Sequence, residues 1–273
     1  MRETRIGALL AKPWLLPDKL LAHFLAGLRQ RVSLNTDSFG WLHAILYSGI
    51  DVWQRHASVA QQIKTIEGTP ITILDVGGSS GTIREFLDSK RYRLCVLDIN
   101  IAALRRIGDL RLGVVAGDGC WLPFKDNSFD VVTSVDSLEH IADATKADYC
   151  RELKRVAKSY VIIHCPADST DGRFQGTACD TKFLKWHRQR FKRDEPNTLE
   201  HLQAGLPQVD EFGKLFPGAE IIGKQNANAW FKYMTISYTP YIRFVTGLFY
   251  KLRLQQRDNM PPYHACLLVW RKL

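Results

Sequence analysis

The sequence has no long apolar run, no C-x-x-C motif and no P-loop pattern (G-x-x-x-x-G-K-S/T), and each absence excludes a class of protein. Without a run of about 18 apolar residues, no membrane-spanning helix is predicted. The six cysteines form no C-x-x-C pair and have no His-rich partner pattern, so neither a disulfide framework nor a metal site is expected. Cysteines within apolar runs are typical of reduced thiols, which favours a cytoplasmic location. Lys12, Pro13 and Asp18 interrupt the N-terminal leucines, so we expect no signal peptide.

The charge balance is basic. The 273 residues include 37 Lys and Arg against 28 Asp and Glu, which gives a formal net charge of +9. This excess favours an anionic neighbour, such as nucleic acid, an acidic substrate or a phospholipid surface, although it can serve solubility alone. A hydrophobic content of 45% is enough to bury the core of one large α/β domain, with or without a helical appendage.

The most informative stretch is residues 71–81, with the sequence ITILDVGGSSG. The compact apolar run that ends at Asp75 and Val76 predicts a buried parallel strand, and Thr82 to Leu87 has helical spacing. A strand, a glycine turn and a helix begin a βαβ unit that presents backbone N–H groups to a nucleotide-like ligand. The turn has no lysine for a P-loop and lacks G-x-G-x-x-G spacing. Asp75 favours a cationic ligand instead.

Six more strands are predicted along the chain, and the alternation with helices indicates an α/β protein. The fold class is a Rossmann-like, doubly wound, mostly parallel seven-stranded sheet with an N-terminal helical extension and insertions after strands 5 and 6. The predicted strands are Tyr92 to Asp98, Leu112 to Ala116, Phe129 to Val135, Tyr160 to His164, a strand near Ala219 to Gly223, and Tyr263 to Trp270.

Three successive strands end at or beside an acid, namely Asp75, Asp98 and Asp118. Asp98 lies 17 residues beyond Gly81, which is where a βαβ fold places the acid that accepts hydrogen bonds from ribose hydroxyls. A single Asp in such a place is more often a helix N-cap. Three acids at the carboxyl edge of one sheet favour a ligand site.

The blocks LDVGGSSG, VLD and GDGCWLPFKDNSFDVVTSVDSLEHI carry a specific resemblance. The chain resembles the class I S-adenosylmethionine-dependent methyltransferases of the type 11 family, over Ile71 to Pro166 in particular. The resemblance implies an enzyme with S-adenosylmethionine as its cofactor. It departs at Ser79, where such families usually carry glycine.

The resemblance also implies roles for individual residues. Asp75, Gly77 and Gly81 would line the methionine end of the cofactor, Asp98 would hold the ribose, and Asp118 with Gly119 would meet the adenine. Residues from Val135 onward would face the sulfonium. The complete predicted cofactor set is Asp75, Gly77, Gly78, Ser79, Gly81, Asp98, Ile99, Asp118, Gly119 and Val135.

The domain organisation is predicted in two parts. Residues 1–70 form a helical extension or lid, and residues 71–273 form the methyltransferase domain, with a substrate insert at about 167–208. A basic amphipathic helix from Pro17 to Arg31 and a basic aromatic segment at about 230–257 suit peripheral membrane contact. Packing on the domain itself, a substrate wall or a homodimer interface are the competing interpretations.

The chemistry of the acceptor is less constrained by the sequence. Methyl transfer needs mainly alignment, and a base is needed only when a group such as a hydroxyl must lose its proton. His140 and His201 are the candidate catalytic residues because imidazole titrates near neutrality, although structural roles are the commoner ones. Glu139 and Glu200 stand beside them and could orient an imidazole.

Several functions remain open on this evidence. The first is methylation of a small-molecule, glycan or lipid acceptor, at a hydroxyl group. The alternatives are an RNA or protein methyltransferase and a non-catalytic module that binds S-adenosylmethionine. The chain reads VDSLEH after the fourth strand, without an Asn/Asp-Pro-Pro-Tyr-like motif, which disfavours nucleic-acid and protein-amine acceptors. A nicotinamide-dependent oxidoreductase is disfavoured by the glycine spacing.

Overall fold

The computed structural model describes residues 49–108, 111–238, 250 and 259–272. The strands are β1 (Ile71–Val76), β2 (Tyr92–Asp98), β3 (Gly113–Ala116), β4 (Phe129–Val135), β5 (Ala157–Pro166), β6 (Glu220–Asn226) and β7 (Tyr263–Arg271). The α-helices in this part of the chain are α1 (Ile50–Thr65), α2 (Ile101–Leu104), α3 (Asp143–Val156), α4 (Gly176–Phe191), α5 (Pro196–Ala204), α6 (Val209–Leu215) and α7 (Ala227–Ser237). Two 3₁₀ helices, Thr82–Phe86 and Leu138–His140, follow β1 and β4.

The strands form one seven-stranded sheet in the order β3-β2-β1-β4-β5-β7-β6. The five strands from β3 to β5 are parallel, and β7 runs antiparallel to both β5 and β6. The predicted Rossmann-like, mostly parallel seven-stranded sheet is therefore confirmed. The order reverses between β1 and β4, and open α/β sheets bind ligands at such a switch point, outside the carboxyl ends of the strands.

The two faces of the sheet are covered by different helices. On one face, Leu153 and Val156 of α3 and Phe212 of α6 pack against the buried side chains of β4 and β5. On the other face, Val59 and Ile63 of α1 pack in a second buried cluster. Covering both faces explains why β1 and the later parts of β4 and β5 are almost continuously buried, polar residues such as Thr133 and Ser134 included.

Two predicted helices differ from the structure. The segment from Thr82 to Leu87 forms a 3₁₀ helix that ends at Phe86, and the predicted helix from Ile101 to Ile107 ends at Leu104. In an α-helix the backbone amide of Arg84 would donate to the carbonyl of Ser80. Here the Arg84 guanidinium donates to that carbonyl, and the Arg84 amide donates to the carbonyl of Gly81, which is the 3₁₀ pattern.

The predicted insert after β5 is largely helical. Helix α4 begins within this insert, at Gly176. Phe183 and Leu184 are buried, whereas the basic side chains of α4 are exposed. The predicted helix from Pro17 to Arg31, like everything else predicted for residues 1–48, lies outside the described residues. Of the predicted segment 230–257, residues 239–249 and 251–257 lie outside them too. No helix of the described residues is long and apolar enough to cross a membrane.

Candidate active site

The carboxyl ends of β1, β2 and β4 meet beside the glycine turn. Asp75 pairs with Val96 on one side and Thr133 on the other, so it lies inside the sheet rather than beyond it. Its carboxyl group is buried and accepts a 2.8 Å hydrogen bond from the Thr133 hydroxyl. Burial raises the pKa of Asp75 to about 7, against the smaller opposing effect of the Thr133 bond.

The turn after β1 has no room for side chains at two of its glycines. Gly77 has a φ of +73°, and a Cβ atom there would clash with Ser137 of the loop after β4. A Cβ atom on Gly78 would clash with the carboxyl group of Asp75. Ser79, with a φ of +48°, adopts the left-handed conformation that glycine accepts more readily. The turn therefore packs directly on β1 and the β4 loop.

Asp98 organises the neighbouring turn. It is buried, and its two oxygens accept 2.7 Å hydrogen bonds from the backbone amides of Ser79 and Asn100. Ile99, by contrast, is 75% exposed. A charged acceptor thus lies beside an apolar side chain that has no cover among the described residues.

Asp118 follows β3 at the same edge of the sheet. Its carboxylate is exposed and accepts a 2.8 Å hydrogen bond from the amide of Cys120. Gly119 lies against Tyr149 of α3, and a Cβ atom at this position would clash with the tyrosine ring. Trp121 is 73% exposed. Sequence reasoning missed Trp121, although an aromatic residue directly after the third acid was a usable signal.

A partly buried ion-pair network lies where β4 ends. Val135 is buried, and the next residue, Asp136, has a φ of +47°. Asp136 contacts the guanidinium of Arg55 from α1 and lies 2.8 Å from Nδ1 of His164 on β5. Burial alone would raise the pKa of Asp136, but the Arg55 charge and the His164 bond hold it well below its usual range. The strained conformation is therefore fixed by partners from two other elements.

The structure brings the two predicted catalytic histidines together. The ring centroids of His140 and His201 are 4.9 Å apart. Glu139 is fully buried beside them, and its Oε1 lies 3.9 Å from Nε2 of His201. Glu200 lies 3.4 Å from Nδ1 of His140 at the exposed side of the pair. Burial and the nearby charge of Asp136 raise the pKa of Glu139 well above its ordinary value.

Asp180, which sequence reasoning missed, fixes the orientation of His201. The buried carboxylate of Asp180 lies 3.0 Å from Nδ1 of His201 and 3.0 Å from Nε2 of His264 on β7. Nδ1 of His201 is therefore the protonated nitrogen toward Asp180, which leaves Nε2 on the side of Glu139. Burial would lower the pKa of His201, but the hydrogen bond and charge of Asp180 raise it overall.

Comparisons with known proteins agree with this geometry. A family model described as a methyltransferase domain matches residues 74–165. The chain is 33% identical to the demethylmenaquinone methyltransferase of Thermobifida fusca (strain YX) over 183 residues, which cover 62% of this chain and 74% of that protein. It is 35% identical to the protein of the same name from Renibacterium salmoninarum over 89 residues, covering 32% and 36% of the two chains.

Among solved structures, the chain is similar to Haemonchus contortus phosphoethanolamine N-methyltransferase 2 in complex with S-adenosyl-L-methionine. The TM-score is 0.51 at 17% identity, covering 88% of this chain and 60% of that one. At this identity the likeness concerns the fold alone.

The sheet order, the glycine turn and the relationship to the Thermobifida protein together define the family. The chain belongs to the class I S-adenosylmethionine-dependent methyltransferases. It is a methyltransferase enzyme, and its cofactor is S-adenosylmethionine.

Proposed function

We propose that this enzyme methylates a hydroxyl oxygen of a small-molecule, glycan or lipid acceptor. The observation that carries the proposal is the placement of His201, held by Asp180 and facing Glu139, at the end of β4. An acceptor hydroxyl must lose its proton when it is methylated, and an oriented imidazole can take that proton. N-methylation of an amine that is already uncharged needs no such group.

We propose that the cofactor lies along the carboxyl edge formed by β1, β2 and β3. Asp98 is the acceptor for the ribose hydroxyls, because a carboxylate that already holds two backbone amides keeps free lone pairs at a fixed position. Gly77, Gly78, Ser79 and Gly81 leave the backbone accessible to the methionine end near Asp75. Ile99 supplies an apolar surface for the adenine, and Asp118 with Gly119 supplies polar contacts.

The loop from Val135 to His140 joins the cofactor edge to the acceptor side. The Ser137 hydroxyl donates a 3.3 Å hydrogen bond to the carbonyl of Gly77, so the loop contacts the glycine turn. Three residues later, His140 of the same loop lies against His201. S-adenosylmethionine supplies the methyl group as a sulfonium. The protein's contribution is to align the acceptor oxygen on that side and to receive its proton at Nε2 of His201.

The acceptor class is supported by two further observations. The related proteins of Thermobifida and Renibacterium are named for a small-molecule acceptor, demethylmenaquinone. The sequence after β4, VDSLEH, lacks the motif typical of amine methylation in nucleic acids and proteins. Both support a small molecule or lipid over RNA or protein.

A comparison of metabolites tests this proposal. Untargeted mass spectrometry of metabolites and lipids from a strain that lacks the gene, compared with its parent, should show a compound that loses one methyl group. Fragmentation should place that methyl group on oxygen, and a plasmid-borne copy should restore it. A methyl group on nitrogen or carbon would contradict the hydroxyl assignment, and loss of a methyl group from RNA or protein alone would contradict the acceptor class.

A further inference from the structure

Glu139 is a buried acid to which the proposed proton transfer assigns no role. Its side chain is fully buried, and neither carboxylate oxygen has a hydrogen-bond partner among the described residues. A buried, unpartnered carboxylate is costly, because the ionised form loses its hydration without compensation. Such a group points to a missing partner, either a proton on the carboxyl group itself or a bound cation.

The other buried acids nearby already have partners of opposite charge or hydrogen-bond donors. Asp136 contacts the Arg55 guanidinium and lies against His164. Asp180 lies between the imidazoles of His201 and His264. Within the described part of the chain, Glu139 is the acid of this group whose two oxygens accept no hydrogen bond, so a proton or a bound cation is needed to complete it.

Two imidazoles lie around Glu139 in a suitable arrangement for binding an ion. One ligand atom each from Glu139, His140 and His201 can be chosen so that all three lie within 4.8 Å of one another. Oε1 of Glu139 lies 3.9 Å from Nε2 of His201. An ion bound at about 2.0–2.2 Å keeps its ligand atoms roughly 3–4 Å apart, so small side-chain rotations suffice.

Asp180 prepares His201 for this role. Because Nδ1 of His201 faces the Asp180 carboxylate, the unprotonated Nε2 atom is the one directed to Glu139. A metal-bound histidine usually donates its other ring N–H to a carboxylate or another acceptor, which fixes the tautomer and the ring orientation. The arrangement is therefore more specific than a chance cluster of titratable groups.

We propose that Glu139, His140 and His201 bind a divalent metal ion at the end of β4. One carboxylate and two imidazoles form a ligand set that suits first-row transition ions such as Zn²⁺ and Mn²⁺ better than Mg²⁺, which prefers oxygen ligands alone. Three protein ligands leave open positions on the ion. His140 is the exposed member of the set, so an acceptor would approach from its side.

The role of the ion rests on the proposed function, whereas its binding does not. Nε2 of His201 cannot bind the ion and accept a proton at once, so the base role given to it above would apply to the metal-free protein, and in the metal-bound protein it would be a ligand. An acceptor hydroxyl bound to the ion then loses its proton to solvent, because a divalent cation stabilises the oxyanion. The oxyanion forms the bond to the methyl group, and the sulfonium–methyl bond breaks with its electron pair left on sulfur.

Metal binding can be measured without any acceptor. Full-length protein, stripped with a chelator and dialysed, would be titrated separately with Zn²⁺, Mn²⁺ and Mg²⁺ in a calorimeter, followed by elemental analysis of the dialysed samples. We expect one equivalent of Zn²⁺ or Mn²⁺, with affinity reduced at least tenfold in Glu139→Gln, His201→Ala and His140→Ala. Of the three variants, His140→Ala is the one expected to disturb folding least, because His140 lies at the surface.

The matched control is Glu67→Gln, the same change at an exposed acid between α1 and β1. It should bind the metal like the unchanged protein, and every variant should still bind S-adenosylmethionine. No stoichiometric binding of the three ions, or binding that persists equally in the three site variants, would overturn the proposal. Neither result would affect the hydroxyl assignment, which is decided by the position of the methyl group in the product.

Discussion

Asp98 shows how one side chain can serve both the turn and a ligand. Its two oxygens hold the amides of Ser79 and Asn100, and both bonds are 2.7 Å long. These bonds fix the carboxylate before any ligand arrives, which lowers the cost of ordering it on binding. The carboxylate keeps further lone pairs that can accept hydrogen bonds from a ligand.

We predict that Asp98→Ala weakens S-adenosylmethionine binding by about 1.5–3 kcal/mol, because a charged hydrogen-bond acceptor is lost. Isothermal titration calorimetry measures the change, and thermal melting shows that the variant is folded. Asp88→Ala is the matched control, because Asp88 accepts a similar bond from the amide of Lys90 on the exposed surface. Equal affinities of Asp98→Ala and the unchanged protein would contradict the ribose assignment.

Asp75 makes stability depend on pH. In the folded protein burial raises its pKa to about 7, whereas in the unfolded chain the ordinary value is about 3.9. Between these values the unfolded chain releases the proton and the folded protein keeps it. The stabilising contribution is therefore complete below about pH 4 and is lost as the pH rises toward 7.

We predict that Asp75→Asn removes this dependence in the cofactor-free protein. Between pH 4 and 8, the free energy of unfolding of the unchanged protein should fall relative to that of the variant, by an amount on the order of 4 kcal/mol. Urea unfolding at a series of pH values gives both curves. Parallel curves would show that the pKa of Asp75 is not raised.

Residue-level prediction succeeded where a local pattern carried the signal. Asp75, Asp98 and Asp118 stand directly at or after strand ends, and the strands are recognisable from their β-branched runs. The structure places all three at one edge, while their roles toward the cofactor stay predictions. The hydrogen bond from the amide of Ser79 to Asp98 was not predicted, because it joins residues 19 positions apart.

At the scale of elements, Asp180 connects three segments that are distant in sequence. It lies on α4, His201 lies on α5 and His264 lies on β7, so one carboxylate holds the insert against the sheet. No spacing rule links residues 21 and 84 positions apart. The start of α4 could not be predicted either, because the sequence before it is polar without helical periodicity and its N-cap makes no side-chain hydrogen bond. For these reasons the acceptor side was less predictable than the cofactor side.

We predict that Asp180→Asn lowers the free energy of unfolding at neutral pH by about 2–4 kcal/mol. An amide can accept from one imidazole only, so the other is left without its charged partner. Urea denaturation measures the difference. Asp194→Asn, which alters the solvent-exposed pair with Arg188, should leave the unfolding midpoint unchanged. Equal midpoints for Asp180→Asn and the unchanged protein would contradict a connecting role.

At the scale of the whole molecule, the chain has a net charge of +9, and one of its basic regions lies on α4. The exposed face of α4 and the residues after it are basic, with Lys182, Lys185, Arg188, Arg190, Lys192 and Arg193. Phe183 and Leu184 of the same helix are buried, so the apolar part of this stretch belongs to the core. We propose that the basic face contacts an anionic surface, from which a lipid or glycan acceptor would be drawn.

This proposal predicts that the protein co-sediments with vesicles that contain anionic lipid and is released as the salt concentration rises. Each basic residue near such a surface contributes about 1 kcal/mol, so Lys185→Gln with Arg190→Gln should weaken binding clearly. Neutral vesicles are the lipid control. Absence of sedimentation with anionic vesicles at low ionic strength would contradict the membrane contact and leave the methyltransferase assignment intact.

The most direct test of the account is the atom that receives the methyl group. Purified protein would be incubated with S-adenosylmethionine carrying a ¹³C-labelled methyl group and with a metabolite and lipid extract of the deletion strain, and the labelled product would be examined by NMR. The account predicts a single labelled methyl group bound to oxygen, formed much more slowly by His201→Ala although that variant still binds the cofactor. A labelled methyl group on carbon or nitrogen, or an unchanged rate with His201→Ala, would contradict it.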